Sequence, residues 1–213
     1  MKYAAFSLIN EPSKTRVGSI SPDGTTVEEF DLGVDVSEDG IVALLRADLK
    51  GQLPRPIATY AFSDIRLLAP VPRPRRNIFC VGKNYHEHAK EFSNSGFDSS
   101  AKPGEDIPSH AIFFTKPPES VTGPNTNVII PTAVSTAIDY EAELTIVIGK
   151  GGKGISEADA MNHVWGYTAI NDVTARDWQQ RHKQWFLGKS FDTFCPMGPW
   201  VVTADQIDAN DIR

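Results

Sequence analysis

Three prolines within Ala69-Pro70-Val71-Pro72-Arg73-Pro74-Arg75-Arg76 constrain this chain more than any other stretch. Each removes a backbone donor and fixes φ, so neither a helix nor a central strand can run through them. The segment 69–76 reads as a Pro-rich linker. It predicts a small β-rich N-terminal domain over residues 1–68 and a second domain over residues 77–213.

The first stretch carries strand-like runs at 3–9, 16–20 and 25–30, parted by turn signals such as Ser21-Pro22-Asp23-Gly24. A helix is expected over 41–50, stopped at Gly51 and Pro54. After the linker, 77–81 is a short apolar strand and Gly82 releases the chain toward a helix beginning near Asn84. Residues 93–109 are polar and rich in Gly and Pro, as in a loop. Strands dominate from Ile112 onward, with helices predicted at 156–163 and 174–183. Ser156 and Thr174 each precede an acid three residues on, Asp159 and Asp177, which predicts capping boxes. The fold class is therefore α+β, mostly β.

At 213 residues the chain can bury a sizeable core. Its net charge of −6 argues against nucleic acid, whose phosphates need clustered Lys and Arg. No run approaches the roughly 20 apolar residues of a membrane span, so no membrane partner is expected. Cys80 and Cys195 form no CxxC pair and read as free buried thiols in a reducing compartment. Cytoplasm is the expected location, with a mitochondrial matrix as the alternative.

Chemistry concentrates in three places. In Asp139-Tyr-Glu-Ala-Glu-Leu-Thr-Ile-Val-Ile148 alternate residues share a face of a strand. Tyr140, Ala142, Leu144, Ile146 and Ile148 would pack on the core, leaving Asp139, Glu141 and Glu143 crowded on the other side. Asp172 lies at a strand end beside a helix start and would complete a cage of hard oxygen donors. Such a set selects Mg²⁺, Mn²⁺ or Ca²⁺ over zinc. Arg176 and Gln179, one helical turn apart, would hold a substrate carboxylate or orient a water. In the third place, His88 with Glu91 three residues on makes an oriented general base. Lys189, in a loop of small residues, would neutralise a developing enolate. Gly149-Lys-Gly-Gly-Lys-Gly154 spells a dinucleotide-binding pattern, but its preceding strand carries a charged face and no βαβ alternation surrounds it. A connecting loop is the better reading.

Together VGKNYHEHAKE (81–91), DYEAELTIVIGKG (139–151), GYTAINDVTARDWQ (166–179) and GKSFDTFCPMGPW (188–200) resemble the fumarylacetoacetate hydrolase family. The resemblance implies a mixed β-roll catalytic domain and a homodimer. It implies Mg²⁺ or Mn²⁺ on Glu141, Glu143 and Asp172, a water-activating pair in His88 and Glu91, and substrate contacts from Lys189 and Gln179. It also implies further strands and a Gly-Thr-Pro-type loop after the GKSFDTF region, so the β-roll over 77–213 is expected to be incomplete. The leading expectation is hydrolysis of a carbon–carbon bond in an acylpyruvate-like β-diketo acid, a small 2-oxo acid. Decarboxylation of oxaloacetate, or a lyase or isomerase step on a related 2-oxo dicarboxylate, uses the same parts. A catalytically silent truncated paralogue is the third alternative.

Overall fold

The computed structural model describes residues 1–86, 109–181, 184–208 and 211–212. The chain opens with β1 (Lys2–Leu8), β2 (Glu11–Ile20) and β3 (Thr26–Phe30), followed by α1 (Ile41–Asp48), β4 (Pro56–Ala61) and β5 (Ile65–Leu67). Next come β6 (Ile78–Gly82), β7 (Ile112–Lys116), β8 (Val121–Thr122), β9 (Ile138–Asp139) and β10 (Ala142–Ile148). Then follow α2 (Glu157–Ala160), β11 (Val164–Asn171), β12 (Thr174–Ala175), α3 (Arg176–Arg181) and β13 (Cys195–Thr203).

One large sheet runs in the order β10-β11-β13-β1-β2-β3-β4, with β5 on β1 and β8 on β13. It crosses the boundary expected at 69–76. The joint is β1 against β13, antiparallel, with Lys2 opposite Val202 and Tyr3 opposite Val201. The proline segment is itself packed. Pro70 is fully buried, and its carbonyl accepts the Ile41 amide at 2.9 Å. That contact requires Gly40, whose φ is +53°; a Cβ there would lie 2.2 Å from the Pro70 oxygen. The prolines thus rule out regular structure, as expected, while Pro70 is part of the interior.

The central core joins both ends of the sequence. Tyr3, Val17, Ile41, Leu44, Trp165 and Val201 pack together, and α1 buries Ile41, Leu44 and Leu45 against the sheet. Each fully buried aliphatic side chain of this kind contributes about 1.5–3 kcal/mol. Tyr3 stacks on Trp165 with ring centroids 5.6 Å apart, and the Trp165 indole donates to Asp48 at 2.7 Å. A buried indole N–H needs such an acceptor.

Local expectations fared unevenly. Ser156 caps α2 as predicted, its hydroxyl accepting the Asp159 amide. Thr174 does not cap a helix. It lies in β12, and α3 starts two residues later, because its hydroxyl donates to the Asp172 carbonyl at 2.9 Å. The glycine run 149–154 joins β10 to α2, and β11 then returns antiparallel to β10, which excludes a dinucleotide-binding βαβ unit. Cys80 and Cys195 are free thiols, and burial pushes both up to about 12. Among the described residues no helix is long and apolar enough to cross a membrane.

Candidate active site

The pairing of β10 with β11 assembles the site. Their antiparallel register sets Ala142 opposite Asn171, Glu143 opposite Ile170 and Thr145 opposite Thr168. Just beyond the ladder, the Asp172 amide donates to the Glu141 carbonyl at 2.8 Å, and the Glu141 amide donates to the Asn171 side chain at 3.1 Å. Two carboxylates distant in sequence are thereby held side by side by backbone geometry.

The face that carries them corrects the sequence expectation. Leu144, Ile146 and Ile148 do not pack on the core; they are 42, 49 and 60% exposed. The half-buried face is the one with Glu143, Thr145 and Val147. Alternation correctly separated the two faces, but hydrophobicity assigned them the wrong way round. The inward face lines a cavity of about 650 Å³ instead of a dry core.

Glu141, Glu143, Asp172, Arg176, Gln179 and Lys189 all line this cavity, together with apolar Phe114, Ile170, Trp185 and Met197. One wall is tight: a Cβ on Gly82 would lie 2.2 Å from the Trp185 ring. Lys189, expected in a loop of small residues, lies buried in a short helical turn at 187–189. Its ammonium donates to Glu141 Oε2 at 2.5 Å, Asp172 Oδ2 at 2.7 Å and Thr174 Oγ1 at 2.9 Å, and lies 4.7 Å from the centre of the Phe114 ring. Arg176 donates to Glu141 Oε1 at 2.7 Å, to Asp139 Oδ2 at 2.9 Å and to Gln179 Oε1 at 3.0 Å.

These partners set the electrostatics. Burial alone would raise the Glu141 carboxyl, but Lys189 and Arg176 outweigh it and hold the group at about 2. Glu143 goes the other way. Burial and then the neighbouring Glu141 charge push its carboxyl up, with a smaller push from Asp172, against a hydrogen bond to Tyr85 that lowers it. The three carboxylates therefore share one cavity, but Lys189 stands between Glu141 and Asp172. Among the described residues no three His, Cys, Asp or Glu side chains are already grouped to hold an ion. His88 and Glu91 lie outside the described residues.

Three participants escaped the sequence reading. Lys116, fully buried at the end of β7, donates to Asp172 Oδ1 at 2.6 Å. Its signal was a lone Lys closing the apolar run Ile112-Phe-Phe-Thr, where Ile112, Phe114 and Lys116 share a strand face. Thr174 was taken for a cap. The third is Tyr85, whose hydroxyl reaches Glu143.

A β-rich fold with a carboxylate- and lysine-lined cavity, built on those motifs, is that of an enzyme family. The chain belongs to the fumarylacetoacetate hydrolase family: the profile for the fumarylacetoacetate (FAA) hydrolase C-terminal domain matches residues 77–213. It is similar to an oxaloacetate tautomerase of Bacillus subtilis, 49% identical over 148 residues, covering 70% of this chain and 46% of that protein. Among solved structures it resembles a fumarylacetoacetate hydrolase from Exiguobacterium antarcticum, with a TM-score of 0.72 and 35% identity, covering 98% of this chain and 68% of the other. It also resembles a maleylpyruvate hydrolase from Sphingobium in complex with manganese(II) ion and pyruvate. There the TM-score is 0.69 and the identity 26%, covering 98% of this chain and 69% of the other. The chain spans about half the length of the curated relatives it matches.

Proposed function

We propose that this chain carries the acidic site of an enzyme that moves a proton on a small 2-oxo dicarboxylate such as oxaloacetate, interconverting keto and enol forms. The observation that carries this reading is the single cavity in which Glu141, Glu143 and Asp172 meet Lys189 and the Arg176–Gln179 pair. The similarity to an oxaloacetate tautomerase favours this isomerase reading over the acylpyruvate hydrolysis expected first.

The donor set fits a divalent cation of the Mg²⁺ or Mn²⁺ kind. All three side chains offer hard oxygens, and the Glu143 carboxyl, raised by burial and then by the neighbouring Glu141 charge, lies where a cation would offset that repulsion. When bound, such an ion would supply Lewis acidity toward a 2-oxo acid. The chain's own groups supply the rest. Arg176, with Gln179 locked beside it, presents a planar guanidinium suited to a substrate carboxylate. The Lys189 ammonium offers positive charge where an enolate oxygen develops, in a cavity with apolar walls that strengthen the interaction. His88 with Glu91 is proposed as the base that takes the proton from carbon. Glu141, held charged, pairs with the Lys189 ammonium.

The test is enol decay of oxaloacetate, followed by ultraviolet absorbance with the complete protein, with and without Mn²⁺. Accelerated interconversion without loss of oxaloacetate is expected; a rate equal to buffer would overturn the proposal. A second reading, carbon–carbon hydrolysis, draws on the similarity to a maleylpyruvate hydrolase. It predicts an acid plus pyruvate from an acylpyruvate, whereas decarboxylation would release carbon dioxide and pyruvate from oxaloacetate.

A further inference from the structure

We infer that Lys116 is a positioning residue, a buried ammonium that holds one oxygen of Asp172 out of play and anchors the backbone of Lys189, so that Asp172 meets the proposed cation through a single oxygen. This rests on the reading of the site given above.

An ammonium has three N–H donors and no acceptor. Lys116 directs them to Asp172 Oδ1 at 2.6 Å, the Val173 carbonyl at 3.1 Å and the Lys189 carbonyl at 2.6 Å. Its side chain has no solvent exposure. All three donors are taken, two of them by backbone carbonyls, which suits Lys116 to holding its neighbours in place. The acceptors belong to two segments, the turn after β11 and the short helical turn at 187–189, and Lys116 ties both to the end of β7.

The two lysines divide one carboxylate between them. Lys116 takes Oδ1 and Lys189 takes Oδ2, at 2.6 and 2.7 Å. Their environments differ. Lys189 bonds side chains alone (Glu141, Asp172 and Thr174), so its ammonium can shift when charge enters the cavity. Two of the three Lys116 bonds go to backbone carbonyls, which cannot follow a moving ligand. Lys116 is thus the fixed member of the pair and Lys189 the adjustable one. With Oδ1 fixed, Oδ2 is the oxygen left to exchange an ammonium for a metal ion.

The experiment compares the complete parent protein with Lys116→Met and Lys116→Gln. Mn²⁺ affinity is read by calorimetry, thermal unfolding is read without metal, and kcat and KM are read separately on oxaloacetate. Lys116→Met should lose about 10- to 100-fold in Mn²⁺ affinity, the usual effect of removing a group that orients a ligand, with kcat falling more than KM rises. Lys116→Gln, which still donates to two acceptors, should recover part of that affinity. A purely structural role would lower the unfolding temperature and leave Mn²⁺ affinity within twofold of the parent, overturning the inference. If Lys116→Met does not fold, Lys116→Gln decides by the same measure. A parent that binds no Mn²⁺ overturns the proposed function and this inference together; a binding parent with an unchanged variant overturns this inference alone.

Discussion

Two buried clusters of charge occupy this molecule, and they are built differently. On the N-terminal strands, Arg16 is buried beside Glu11 and Glu29, and the Tyr60 hydroxyl donates to Glu29 at 2.8 Å. Glu11 there has a half-exposed side chain, and the charges knit β2, β3 and β4 together. Across the β1–β13 joint, Lys116, Lys189 and Arg176 face Glu141, Asp172 and Asp139 around a cavity, with Glu143 added. Both clusters bear the cost of desolvation. Each carries one carboxylate more than its cations, but only the second sets its charges along a cavity wall, and that placement separates a site from a strut.

Substitutions can break this contrast. The largest effect is expected for Lys189→Met, which leaves Glu141 and Asp172 short of a cation. Denaturant unfolding should show a loss of about 3–5 kcal/mol, and turnover should fall with it; a variant as stable as the parent would mean that the ammonium is dispensable to the fold. Glu143→Ala comes next, with opposite consequences. It removes a crowded charge, so stability should hold or rise, while metal-dependent turnover falls by about two orders of magnitude, roughly 3 kcal/mol of barrier. Initial rates with Mn²⁺ before and after chelation check it, and retained turnover would remove Glu143 from the site.

Acid should act on the same cluster. Glu141 titrates at about 2 in the folded chain, against an ordinary value of 4.5. Its folded pKa is depressed, so its contribution is complete above about 4.5 and is lost as pH falls toward 2, for a total of about 3 kcal/mol. Unfolding followed between pH 6 and 2 should show this slope in the parent and a shallower one in Lys189→Met. Smallest is Arg16→Met, expected to cost about 2 kcal/mol by leaving Glu29 buried without its cation, with turnover within twofold of the parent. An activity loss there would erase the distinction between the clusters.

Much of the site was legible because its chemistry is local to short motifs. Glu141 and Glu143 on one strand face, Asp172 at a strand end, and Arg176 one turn before Gln179 all followed from periodicities of two and near four. What stayed hidden depended on tertiary context. Nothing in Ile112-Phe-Phe-Thr-Lys116 indicates that the terminal ammonium meets Asp172, because that contact bridges strands far apart in sequence. The apolar residues Leu144, Ile146 and Ile148 suggested a core face because hydrophobicity reports what a strand would prefer to bury. A cavity wall inverts the preference, placing the polar face inward. The prolines at 70, 72 and 74 correctly forbade regular structure, but they could not reveal that the sheet closes around them through β1 and β13.

That closure bears on how the molecule is made. Residues 2 and 3 find their cross-strand neighbours at 202 and 201, so β1 must wait until β13 has been made. Until then the Lys2–Tyr3 end of the β1 edge lacks its hydrogen-bonding mates, since β5 covers only Phe6–Leu8, and the long loop to be closed slows docking. Birth order and spatial order are opposed here, and a nascent chain would depend on shielding of that edge until β13 has emerged.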